Sequence, residues 1–141
     1  MTHDEIIAFA DTLEGVSSMT ADEAGGAPEI AWGDTFFFVG GERRRPFATI
    51  VTKDYDDFDE YSDLNRPGVF RLNVFVGREG FEDLLGYAPA AHAQHVGEID
   101  YTAFDVLLPH PVYATQSWVS IVNPSGQARD LLKRGYERAR V

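Results

Sequence analysis

The 141-residue sequence contains no cysteine. That excludes disulfides, thiolate nucleophiles, zinc–thiolate sites and iron–sulfur clusters together. No apolar run approaches the roughly 20 residues of a membrane span. The opening Met-Thr-His-Asp-Glu-Ile-Ile lacks the basic and apolar regions of a secretory signal. These absences predict a soluble, cytoplasmic protein with no membrane partner. There is no Gly-x-Ser-x-Gly elbow, no phosphate-binding glycine loop ending in Lys-Ser/Thr, and no dinucleotide Gly-x-Gly-x-x-Gly, so no cofactor is indicated. Positive charge is scarce: 12 Lys and Arg stand against 23 Asp and Glu, a net charge of −11.

That excess is localised. Residues 1–65 hold 15 acids and 4 bases, whereas residues 66–141 hold 8 of each. Affinity for duplex DNA comes largely from cations that displace counterions from phosphates, so nucleic acid is not an expected partner. The basic residues nearest to forming a patch are Arg129, Lys133, Arg134, Arg138 and Arg140. Near the end of a helix they complement its dipole. The length suits one domain spanning 1–141, and 44% apolar residues suffice for a core.

Hydrophobic periodicity gives the elements. Thr2 and Glu5 form a capping-box pattern ahead of Ile6, Phe9, Ala10 and Leu13, so residues 3–13 read as an amphipathic helix closed by Gly15. Strands are predicted at 34–39, 47–52, 69–76 and 115–122, with a fifth short one possible at 16–20. Residues 40–46 read as a hairpin connection. The acidic stretch 54–66 reads as a solvated loop, and it fails the EF-hand register from every starting Asp. A short helix at 79–85 ends at Gly86. Asp100 is placed as an N-cap ahead of Phe104, Leu107 and Leu108. Asn123-Pro124 predicts the start of a last helix, 124–139, with Ala128, Leu131, Leu132, Gly135, Tyr136 and Ala139 on one stripe. This order predicts an α+β fold, an antiparallel sheet of four to five strands packed against N- and C-terminal helices.

Four groupings could carry chemistry. His92 and His95 stand at i, i+3 and could share a metal with His110 or Asp100; exposed histidines are the plainer reading, and no metal site is assigned. Glu29 and Asp34 flank Trp32, where an indole wall could push two carboxyl pKa values apart, or Asp34 could simply orient its turn. His110 lies between Pro109 and Pro111 on a stiff mount that either turns a corner or presents the ring to a cleft. Arg71 and Asn73 project from one face of an otherwise apolar strand, as the solvated side of a sheet or as a ligand clamp with Arg71 as an anion fork. If a small molecule binds, the expected site is a cleft walled by Trp32, with Arg71 and Asn73 as polar contacts, His110 at the rim, and Glu29 and Asp34 nearby. No catalytic residue is assigned.

The stretches Ala27-Pro-Glu-Ile-Ala-Trp-Gly-Asp34, Pro46-Phe-Ala-Thr-Ile-Val-Thr-Lys-Asp54, Arg66-Pro-Gly-Val-Phe-Arg-Leu-Asn73 and Leu108-Pro-His-Pro-Val-Tyr113 resemble a bacterial domain family of unknown function along nearly the whole chain. More loosely, Phe47-Ala48, Trp118 on a late strand and Tyr136 on the last helix are similar to MmcQ/YjbR-like proteins. That similarity implies a CyaY-like fold, and with it a suggested DNA-binding role, from which this chain departs in its acidity and in an apparent insertion at 87–110. The leading expectation is a module that binds a small ligand or a protein partner. A YjbR-type nucleic-acid binder and a metal- or carboxylate-dependent enzyme are the alternatives.

Overall fold

A computed structural model of the chain describes residues 1–41 and 45–140. Helix α1 (His3–Asp11) is followed by strands β1 (Val16–Thr20), β2 (Thr35–Val39), β3 (Ala48–Val51) and β4 (Arg71–Phe75). Helix α2 (Gly77–Leu85), the two-residue strand β5 (Leu108–Pro109), strand β6 (Trp118–Val122) and helix α3 (Gln127–Ala139) complete the chain. The strands form one antiparallel sheet in the order β1-β2-β3-β4-β6-β5. Among the described residues no helix is long and apolar enough to cross a membrane.

The α+β class stands, but the sheet has six strands rather than four to five. The possible fifth strand at 16–20 forms as edge strand β1, and the one not expected is the short edge strand β5. β1 is Val-Ser-Ser-Met-Thr, paired to β2 from Val16↔Val39 to Thr20↔Thr35. β5 is held by the register Leu108↔Ser120 and Pro109↔Val119, and a proline is tolerated there because an edge position needs no inward N–H. Two residues are too few to show a period. Residues 100–107 form turns and not a helix: the Asp100 carboxylate accepts from the Thr102 backbone N–H and hydroxyl. The connection expected at 40–46 lies partly outside the described residues, at 42–44.

The Thr2–Glu5 capping box forms as the sequence indicates. The last helix starts at Gln127, not at 124. Asn123 takes a left-handed conformation and spends its carboxamide oxygen on the Phe70 N–H. The start of α3 is tied instead by Asp105, which accepts from the Ser125 N–H and from the Gln127 side chain.

One sheet face carries Phe37, Ala48, Ile50, Leu72, Val74, Val119 and Ile121, which with residues of all three helices form the main core. Helix α3 lies so close that a Cβ on Gly135 would overlap Val74 Cγ1. The opposite face carries Phe36, Thr49, Val51, Arg71, Asn73, Phe75, Trp118 and Ser120, by the period of two along each strand. The long connection 52–70 and the turn 110–113 pack over this second face, through contacts detailed below.

Candidate functional site

The site begins in the central strand. Arg71 is only 1% exposed, so the solvated-face reading of this pair does not hold. Burying a guanidinium is costly unless it is paired and hydrogen-bonded. Here Nη1 donates to Asp59 Oδ1 at 3.1 Å and Ser62 Oγ at 3.0 Å, and Nη2 donates to Asp59 Oδ2 at 2.5 Å. Nε donates to Asn73 Oδ1 at 2.8 Å. Asn73 continues the row across the sheet: its Nδ2 donates to Thr49 Oγ1, and its Oδ1 also accepts from Ser120 Oγ. The registers Thr49↔Asn73↔Ser120 place these three side by side.

Asp59 and Ser62 come from the acidic stretch read above as solvated. Asp56, Asp57, Glu60 and Asp63 are indeed exposed, but Asp59, Ser62 and Leu64 are buried. A tight turn aims the carboxylate. Tyr55 and Asp59 exchange backbone hydrogen bonds at 2.8 Å in both directions, with Asp57 in the left-handed region at its tip. Asp59 is therefore the anion that Arg71 clamps, a role the sequence left open for a ligand.

His110 borders the same polar row. Its Nδ1 accepts the backbone N–H groups of Val112 and Tyr113, each at 3.0 Å, so the imidazole closes its own Pro-flanked turn. Its Nε2 lies 3.5 Å from Arg71 Nη2. Burial, aided by the Arg71 charge and opposed by Asp59, lowers its pKa to about 3. At neutral pH the ring is uncharged and its Nδ1 lone pair is engaged, so it is not poised as a general base.

Asp34 is buried at the start of β2. Its carboxylate accepts from the Thr52 N–H and hydroxyl and from the Tyr55 hydroxyl, and Lys53 Nζ pairs with it at 3.6 Å. Burial raises its pKa above the ordinary carboxylate value, against the pull of these donors and of Lys53.

These groups line one cavity of about 270 Å³. Arg71, Asn73, Asp59 and Asp34 supply its polar surface, and Phe36, Val51, Phe58, Tyr113 and Trp118 its apolar walls. The rings touch: His110 and Tyr113 centroids are 5.0 Å apart, and Phe58 and Tyr113 6.0 Å. Of the residues singled out from sequence, Arg71, Asn73, His110 and Asp34 meet here. Trp32 and Glu29 do not line the cavity. Trp32 is tied into its own loop by a 2.9 Å bond from Nε1 to the Ala27 carbonyl, and Glu29 is exposed. The indole at this cavity is Trp118, a residue read from sequence only as part of a strand.

The other two candidate histidines, His92 and His95, do not line the cavity. Both stack nearly parallel to Tyr87, and His92 Nδ1 is 3.2 Å from its hydroxyl. Among the described residues no group of three or more His, Asp or Glu side chains is arranged to hold a metal ion. Sequence reasoning missed Asp59, Ser62, Tyr113 and Trp118 as neighbours of Arg71. The available signal was Tyr55, Phe58 and Tyr61 interleaved with the acids, which a wholly solvated loop would not need.

In comparisons with known proteins, the chain matches a family of unknown function (DUF6194) over residues 1–141. No curated protein and no solved structure matches it.

Proposed function

The chain belongs to the DUF6194 family, which carries no activity to transfer, and from the cavity we propose that it is a small-molecule-binding domain. The observation that carries this reading is a concave site with apolar walls over a floor of fixed polar groups on a central strand. Ligand sites are mostly apolar concavities with a few precisely held polar atoms. Most polar atoms of this floor are locked by neighbours, so their directions are set before anything binds. At about 270 Å³ the cavity sits just below the usual range of roughly 300–1,000 Å³, which favours a ligand built on one ring. Binding is preferred over acid–base catalysis because His110 presents an engaged Nδ1 at neutral pH. We read the loose similarity to MmcQ/YjbR-like proteins as one of fold, a CyaY-like arrangement. Its support is the element order, with helices at both ends of an antiparallel sheet.

The test is a titration of one-ring fragments followed by nuclear magnetic resonance. Saturable shifts of the Trp118 indole N–H and the Asn73 carboxamide are expected with some of them. If no fragment at millimolar concentration moves these resonances, or if the shifts cluster elsewhere, the cavity is not a binding site.

A further inference from the structure

Hydrogen counting at the floor of the cavity narrows the ligand class, on the reading that the cavity is a ligand site. A neutral imidazole carries one N–H. Nδ1 of His110 accepts two backbone N–H groups, so it cannot bear the proton, and the N–H must be on Nε2. Arg71 has five N–H groups. Four go to Asn73, to Ser62 and to the two oxygens of Asp59. The fifth is on Nη2, whose one other hydrogen-bond contact among the described residues is His110 Nε2 at 3.5 Å. Two donors face each other there and cannot satisfy one another. Among the described residues no acceptor lies within hydrogen-bond distance of Nε2. The nearby Asn73 Oδ1 already accepts from both Arg71 Nε and Ser120 Oγ.

We propose that the cavity binds a neutral one-ring ligand bearing a carbonyl-type oxygen, which accepts the His110 Nε2–H and the fifth N–H of Arg71 together. The oxygen's two lone pairs match the two donors, and the ring lies among Phe36, Val51, Tyr113 and Trp118. The ligand is neutral because the charge it would need is already taken. Asp59 offsets Arg71 at 2.5 Å, and Lys53 is paired with Asp34. Among the described residues lining the cavity, no free cation is left to meet a carboxylate, which would be stripped of water and would approach the carboxyls of Asp34 and Asp59.

Three matched probes separate the possibilities: acetophenone, ethylbenzene and benzoate, each titrated into the full chain at neutral pH. Shifts of the Trp118 indole give affinities, and the nitrogen shifts of the His110 ring report its tautomer. The expected result is an Nε2–H tautomer, acetophenone binding roughly tenfold tighter than ethylbenzene, benzoate weaker than acetophenone, and Nε2 moving with the ketone only. His110→Asn should reduce the ketone's advantage to what the Arg71 N–H alone supplies, since the new side-chain oxygen can still take the Val112 and Tyr113 N–H groups as in an Asx-turn. Equal binding of acetophenone and ethylbenzene, or an Nδ1–H tautomer, overturns the donor assignment and leaves the cavity a ligand site. Tightest binding by benzoate overturns the neutrality. Binding by none of the three overturns this proposal, and the ligand-binding reading falls only if the wider set of one-ring fragments also fails to bind.

Discussion

His110 is kept neutral chiefly by burial, aided by the Arg71 guanidinium beside Nε2, and the backbone N–H groups of Val112 and Tyr113 occupy its Nδ1. Its pKa falls from an unfolded value near 6.5 to about 3, so between those values the unfolded chain binds a proton that the folded chain refuses. The resulting stability is complete above about pH 6.5 and is lost as pH falls toward 3, an effect of a few kcal/mol at most. Burial lowers the pKa of His92 and His3 in the same sense. Asp34, with its pKa raised by burial, acts oppositely and favours the fold where it is protonated. Urea midpoints measured between pH 7 and pH 4 should therefore fall, and should fall less steeply in His110→Asn. An unchanged slope in that variant would remove His110 as the cause.

At the scale of elements, the packing of α3 sets a test against ordinary helix propensity. Gly135→Ala in a helix interior gains about 1 kcal/mol from propensity. Here the new methyl would overlap Val74 Cγ1 and sit 3.3 Å from Phe47 Cδ2 and the Phe75 carbonyl. Overpacking of this kind costs about 1–3 kcal/mol, so the variant should unfold at lower urea concentration than the parent. A raised midpoint would mean that α3 can shift off the sheet without cost. The stripe that packs α3 was legible in the sequence, as was the alternation that puts Arg71, Asn73 and Phe75 on one face of β4. What covers that face was not. Asp59 reaches Arg71 through a turn with no period, in a run where five other acids look the same. Its selection depends on the left-handed Asp57 and on the Tyr55–Asp59 pairing. The start of α3 was misplaced for a related reason. Asn123-Pro124 has the chemistry of a cap, but Asn123 serves Phe70 across the sheet while a distant Asp105 ties the helix. Local patterns report an element's own periodicity, and these contacts are made between segments far apart in sequence.

For the molecule as a whole, the charge of −11 is the dominant long-range property. With 23 acids against 12 bases, labelled duplex DNA at about 150 mM salt should bind no tighter than the non-specific range of roughly 10⁻⁴–10⁻⁶ M. A tighter complex that weakens steeply with salt would restore the nucleic-acid alternative.

The buried Arg71–Asp59 pair carries one more consequence, which concerns the arrangements the chain avoids. Six carboxylates lie between 54 and 63, and any of them could in principle reach for the guanidinium. A slip of one residue that brings Phe58 to Arg71 would strand the buried guanidinium without an anion, at a cost of about 3–5 kcal/mol. An apolar pairing at the same place would be forgiving, since neighbouring rings can substitute for one another. The ion pair thus discriminates among near-equivalent ways of laying the same acidic segment on the sheet.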